Sequence, residues 1–105
     1  MHDVQMKVAD NGRGSFFIEA GLKKIAEMVV AVHENDITVF HTEVTEEFQG
    51  SGIAAQLLFT LVNFAQESNK KVIPLCAYVR GQFEKHPEQY ADIWKKDWHN
   101  RNRGE

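Results

Sequence analysis

A chain of 105 residues, 43% hydrophobic and 26% charged, is long enough for one core and too apolar to stay disordered. Its net charge of −3 and pI near 5.9 leave no broad basic surface, which argues against a nucleic-acid partner. No apolar run approaches a membrane span, Met1-His2-Asp3 lacks a signal-peptide core, and the lone Cys76 cannot form an internal disulfide, so a cytoplasmic protein without membrane contact is expected.

Val4-Gln5-Met6-Lys7-Val8 alternates apolar and polar residues, as a half-buried strand does. Asp10-Asn11-Gly12-Arg13-Gly14 is dense turn chemistry, and Ser15 to Glu19 reads as the returning strand of a hairpin, broken at Ala20-Gly21. Lys24 to Val32 suits helix or strand by pattern; Val29-Val30 and the following Glu34-Asn35-Asp36 turn favour a strand. Ile37 to Val44 is the clearest strand, with Ile37, Val39, His41 and Glu43 expected on one face and Thr38, Phe40, Thr42 and Val44 on the other.

Then Gln49-Gly50-Ser51-Gly52 turns directly into a helix whose apolar positions Ala54, Leu57, Leu58, Leu61, Val62 and Ala65 share one face, running to about Ser68. Glycines let the backbone curl tightly and come close to a ligand. A helix start of this kind aims free N–H groups and the positive end of the helix dipole at one point, where a phosphate binds well. An ordinary helix start with Ser51 as cap would show the same letters. Lys71 to Ala77 reads as a strand with Pro74 at a bulge or edge, Val79 to Lys85 as a short helix, and Pro87 to Trp94 as another. The class is α+β: four antiparallel-capable strands, a long helix, a fifth strand and short helices, in one domain over residues 1–94. Residues 95–105, with Lys95, Lys96, Arg101 and Arg103 interleaved with Asp97 and Glu105, read as a charged tail.

These residues resemble the GNAT acetyltransferase superfamily. Its pyrophosphate signature (Gln or Arg, two residues, Gly, one residue, Gly or Ala) resembles Gln49-Gly50-Ser51-Gly52-Ile53-Ala54. The longer runs HTEVTEEFQGSGIA, VIPLCAYV and HPEQYADIW look like the small, minimal GNAT-like proteins of the YidJ-like group, covering Val39 to Trp94 closely. The resemblance implies a GNAT-like fold that binds acetyl-CoA where two parallel strands splay apart, here Ile37 to Val44 and Val72 to Ala77. It implies backbone contacts to the cofactor around Glu43 and Val44 and a pyrophosphate over Gln49, Gly50, Ser51, Gly52, Ile53 and Ala54.

It further implies acetyl transfer to an amine, which needs a path for the amine proton, an oxyanion donor and a proton for the departing thiolate. Many such enzymes place a Tyr on the helix after the second cleft strand; here Phe83 is the expected equivalent, and it has no proton to give. His41 is then the candidate base, since its ordinary pKa suits neutral pH. Cys76 is the candidate to protonate the CoA thiolate or to carry the acetyl group transiently. Both have bland alternatives as a structural strand His and as core filler. The remaining histidines show no metal-ligand spacing, so no metal is expected. Glu43, Glu46 and Glu47 could attract a cationic acceptor or simply suit the helix dipole. No helical insertion separates the first two strands, which leaves the acceptor side open. A CoA-binding module without turnover is the competing reading.

Overall fold

The computed structural model describes residues 3–96. Five strands, β1 (Gln5–Val8), β2 (Arg13–Ala20), β3 (Lys23–Val32), β4 (Asp36–Val44) and β5 (Lys71–Pro74), form one sheet in the order β1-β2-β3-β4-β5. The first four pair antiparallel and β5 lies parallel to β4, reached through helix α1 (Ile53–Glu67). A parallel pair cannot be closed by a tight turn, so a crossover helix is required. Helix α2 (Ala77–Lys85) follows β5. The fold is α+β, as the order of elements implied, with the long helix after the fourth strand that the GNAT resemblance led us to expect.

Ile53, Leu57, Leu58, Leu61 and Ala65 of α1 are buried against Phe16, Ile18, Met28, Val30, Ile37 and Val39 of the sheet. Val79 and Phe83 of α2 join the same cluster, so both α-helices cover one face. Full burial of one such Leu or Phe side chain is worth roughly 1.5–3 kcal/mol, and this layer is the source of the fold's stability. Among the described residues neither α-helix covers the other face, which is referred to below as the open face.

The structure corrects three expectations. Residues 87–93 form successive turns rather than a helix, with Ile93 and Trp94 N–H groups both returning to the Tyr90 carbonyl. The chain then runs beside β5, where Val72 bridges Trp94. Lys95 is bound rather than loose: its Nζ lies 2.7 Å from Asp36 Oδ2. The remainder of the charged stretch, with Arg101 and Arg103, lies outside the described residues.

The third correction concerns β4. Val29 pairs with His41 but Val30 pairs with Val39, which leaves Phe40 as an extra residue. A bulge of this kind resets the alternation of faces. Ile37 and Val39 are buried against the helices, whereas His41 and Glu43 are exposed and do not share their face. Beyond the bulge Thr42 and Val44 turn toward the helices, and Phe40 joins His41 and Glu43 on the open face, beneath the guanidinium of Arg13 at 4.8 Å.

Candidate functional site

Pairing of β4 with β5 runs from Asp36 opposite Lys71 to Val39 opposite Pro74. One further bond, from the Cys76 N–H to the Val39 carbonyl at 2.9 Å, ends the contact. Pro74 stands where pairing stops because it has no N–H to continue the ladder. From Phe40 to Val44 no strand among the described residues pairs with β4 on that side, and a wedge opens between the strands.

The hydrogen-bond pattern of β3 and β4 decides which backbone groups face the wedge. The Thr45 N–H donates to the Ile25 carbonyl at 2.9 Å, which makes those residues a hydrogen-bonded pair. By alternation Glu27 and Glu43 are another, so the backbone groups of Glu43 point at β3. Those of Thr42 and Val44 point into the wedge. Gln49 Nε2 donates to the Val44 carbonyl at 3.1 Å, tying the turn before α1 to the wedge's rim.

That turn presents the start of α1. Gly50 and Gly52 have φ of 82° and 83°, in the left-handed region that other residues enter only with strain. A Cβ at either would meet nothing within 4 Å, so the space before them is open. Gly52 is the N-cap and no side chain caps the helix; its first bond runs from the Gln56 N–H to the Gly52 carbonyl at 3.1 Å. The N–H groups of Ile53, Ala54 and Ala55 therefore lack intrahelical partners. Ser51, the alternative cap, turns back and donates its hydroxyl to the Phe48 carbonyl. A cleft of about 330 Å³ borders these groups, lined in part by Val44, Gln49, Gly50, Ala54 and Tyr78. Unsatisfied donors, an open approach and a helix dipole together fit an anionic diphosphate.

A family model described as GCN5-related N-acetyl-transferase matches residues 15–93. The chain belongs to the GCN5-related N-acetyltransferase family. Its fold is similar to the NMR solution structure of a GCN5-like protein from Staphylococcus aureus assigned as an N-acetyltransferase, at 30% identity over 90% of both chains with a TM-score of 0.64. It is also similar to the crystal structure of the ribosomal-protein-alanine N-acetyltransferase from Brucella melitensis biovar Abortus 2308. That match has 18% identity and a TM-score of 0.60, over 72% of this chain and 65% of that one, and it bears on the fold alone. No curated protein matches the chain.

Within this GCN5-related fold the two reactive side chains singled out in the sequence stand on opposite faces of β4. Cys76 is the N-cap of α2 and only 4% exposed, with Sγ 3.2 Å from Thr42 Oγ1 at the closed end of the wedge. It is part of the core cluster rather than of the cleft surface. His41 lies on the open face, with Nε2 3.3 Å from Glu43 Oε2. Phe83 is wholly buried, stacked on Tyr90 at 4.6 Å and edge-on to Trp94 at 5.6 Å, and does not reach the cleft.

The hydroxyl at the cleft is that of Tyr78, in the first turn of α2. Burial pushes its phenol above the ordinary value, with Tyr90 and Cys76 adding to the shift. The first turn of the helix after β5 lies next to the wedge, and its residue facing away from the core, Tyr78 rather than Val79, borders the cleft, whereas Phe83 in the next turn packs into the core. That positional argument was available in the sequence and points to Tyr78 instead of Phe83.

Proposed function

We propose that the protein is an acetyl-CoA-binding N-acetyltransferase that moves an acetyl group to an amine. One observation carries this reading: the wedge between β4 and β5 opens directly beside an uncapped helix start whose two glycines leave the approach clear. The N–H groups from Gly50 to Ala54 would hold the pyrophosphate, with Gln49 and Ser51 fixing the turn by their own hydrogen bonds. Val44 and Thr42 would offer backbone groups to the pantetheine arm, and Glu43 would brace them against β3. Such contacts suit the task because the sheet fixes them before the ligand arrives.

In this reading the amine arrives from the open face, where His41 is placed to take its proton, directly or through water. On the helix face Cys76, shut off from the cleft surface, would return a proton to the departing thiolate through the Thr42 hydroxyl, which lies 3.2 Å from its Sγ. Tyr78 lines the cleft itself and is the other candidate proton donor. Residues 1–94, with Lys95 bound to them, would act as one domain in the cytoplasm, and the rest of residues 95–105 would be an appendage. The tight connection between β1 and β2 supports a place among the minimal GNAT-like proteins of the YidJ-like group.

The second reading, a CoA-binding module without turnover, draws on the same connection, because no helices between β1 and β2 wall off an acceptor pocket. Titration with acetyl-CoA should shift the amide resonances of Gly50, Ser51, Gly52 and Ile53 most; maximal shifts elsewhere, or none at millimolar ligand, would sink both. Release of free thiol above background with peptide amines then separates enzyme from module.

A further inference from the structure

The register of the open face places two rows of side chains across four strands. One row carries Lys7, Val29 and His41; the next, toward the open end of the wedge, carries Phe17, Glu27 and Glu43. Lys7 to His41 spans three strand spacings, or about 14 Å. A shallow trough of about 630 Å³ follows this face from Lys7 to Glu27. Its charge is graded along the strands: Arg13 and Lys7 lie toward the closed end of the wedge, Glu27 and Glu43 stand directly opposite each other toward its open end, and Glu19 lies beyond them. Two like charges in a cross-strand pair repel unless a cation comes between them.

The chain's own Lys24 shows the kind of group that fits. Its ammonium lies 3.0 Å from Glu27 Oε2 and 5.2 Å from the centre of the Phe17 ring. This contact is the first cause of the lowered pKa of Glu27. Among the described residues Glu43 has only the exposed His41 as partner, and both side chains remain more than half exposed, at 70% and 62%.

We infer that the open face is a docking surface for the acceptor as a polypeptide segment, with a basic residue next to the acceptor amine and an acidic residue toward Lys7. This rests on the transferase reading for the amine's destination, but the docking itself does not require acetyl-CoA. The bulge that turns Phe40 and His41 outward puts the acidic end of the surface at the wedge, where the amine has to arrive. A basic side chain would lie between Glu27 and Glu43, competing with Lys24 for Glu27. A small polyamine, cationic throughout, would gain nothing from Lys7 and would leave most of the trough empty. A segment with both signs matches the gradient.

The test titrates a short peptide, with Arg beside a central Lys and Asp toward one end, into the isotopically labelled full chain without acetyl-CoA. The largest shifts are expected at Phe17, Glu27 and Glu43. Glu43→Lys should weaken binding about tenfold, as loss of one charge complement does, and Lys24→Ala should tighten it. Glu67→Lys, the same charge change at the exposed far end of α1, should have no effect. Shifts confined to the helix-bearing face, no binding at millimolar peptide, spermidine binding as tightly as the peptide, or self-association through this face would each overturn the inference. If the peptide maps as expected while acetyl-CoA binds nowhere, the docking surface stands and the transferase reading falls. If acetyl-CoA binds at Gly50 to Ile53 and the peptide does not map, only the docking surface falls.

Discussion

Helix α1 ends in a closed cap and begins in an open one. At its C-terminus Asn69 takes φ of 60°, and the Asn69 and Lys70 N–H groups return to the carbonyls of Gln66 and Ala65 at 3.3 and 2.9 Å. This is the Schellman arrangement, which satisfies carbonyls the helix would otherwise leave exposed. At the N-terminus a left-handed residue is again required, Gly52 at 83°, but no side chain returns to the free N–H groups. Both ends need a left-handed residue, which glycine supplies without steric cost, and only one turns that conformation into satisfied hydrogen bonds. The end left unsatisfied borders the wedge, which is where a structure built to bind an anion has reason to keep its donors free.

The largest effect should come from breaking the open end. Gly52→Val forces a β-branched residue to a positive φ, at a cost of roughly 2 kcal/mol, and fills the approach with methyl groups. Acetyl-CoA binding by calorimetry should fall below detection while circular dichroism still reports the helix. The same substitution at the closed end sharpens the contrast. Asn69→Val should lower stability to thermal or denaturant unfolding by about 1–2 kcal/mol and leave acetyl-CoA affinity unchanged. Equal losses of affinity in the two variants would mean that the open end has no special role.

A smaller loss is expected at Cys76. Cys76→Ala should bind acetyl-CoA normally, since the anion contacts lie at Gly50 to Ala54, yet release thiol about a hundredfold more slowly if the thiol supplies a proton. Full activity would return Cys76 to core packing. At 4% exposure it should also react slowly with a small alkylating agent in the native state, so faster labelling would show that the wedge opens in solution.

The smallest effect concerns pH. The raised phenol of Tyr78 holds its proton more tightly folded than unfolded, so its contribution is intact below the unfolded phenol value. That contribution should be lost as pH rises from about 10 upward, seen as a falling denaturation midpoint. Tyr78→Phe should flatten this part of the profile without altering the Asn69 end of α1.

The strand order, the crossover helix and the glycine turn were legible because each follows from local chemistry. Apolar alternation marks a strand, a repeat of three and four marks a helix face, and paired glycines mark backbone that other residues resist. What escaped was set by contacts distant in sequence. His86 to Ile93 has Pro at a helix-favouring position, yet Tyr90 and Ile93 are drawn against α2 and β5, and the segment settles into turns. Pattern alone placed His41 with Ile37 and Val39; the extra residue at Phe40 is visible only when β3 is laid beside β4.

By itself the sequence determined the kind of protein this is: a small α+β chain whose glycine turn starts a helix with free N–H groups, a property of backbone conformation and therefore of local residue choice. Only the tertiary structure decided which side chains meet at the wedge. One bulge in β4 sends His41 and Glu43 to the open face and Thr42 to Cys76 on the other, and the first turn of α2, not its second, brings Tyr78 to the cleft. These are consequences of register, which sets the face of every later side chain in a strand and depends on a partner the local sequence does not contain.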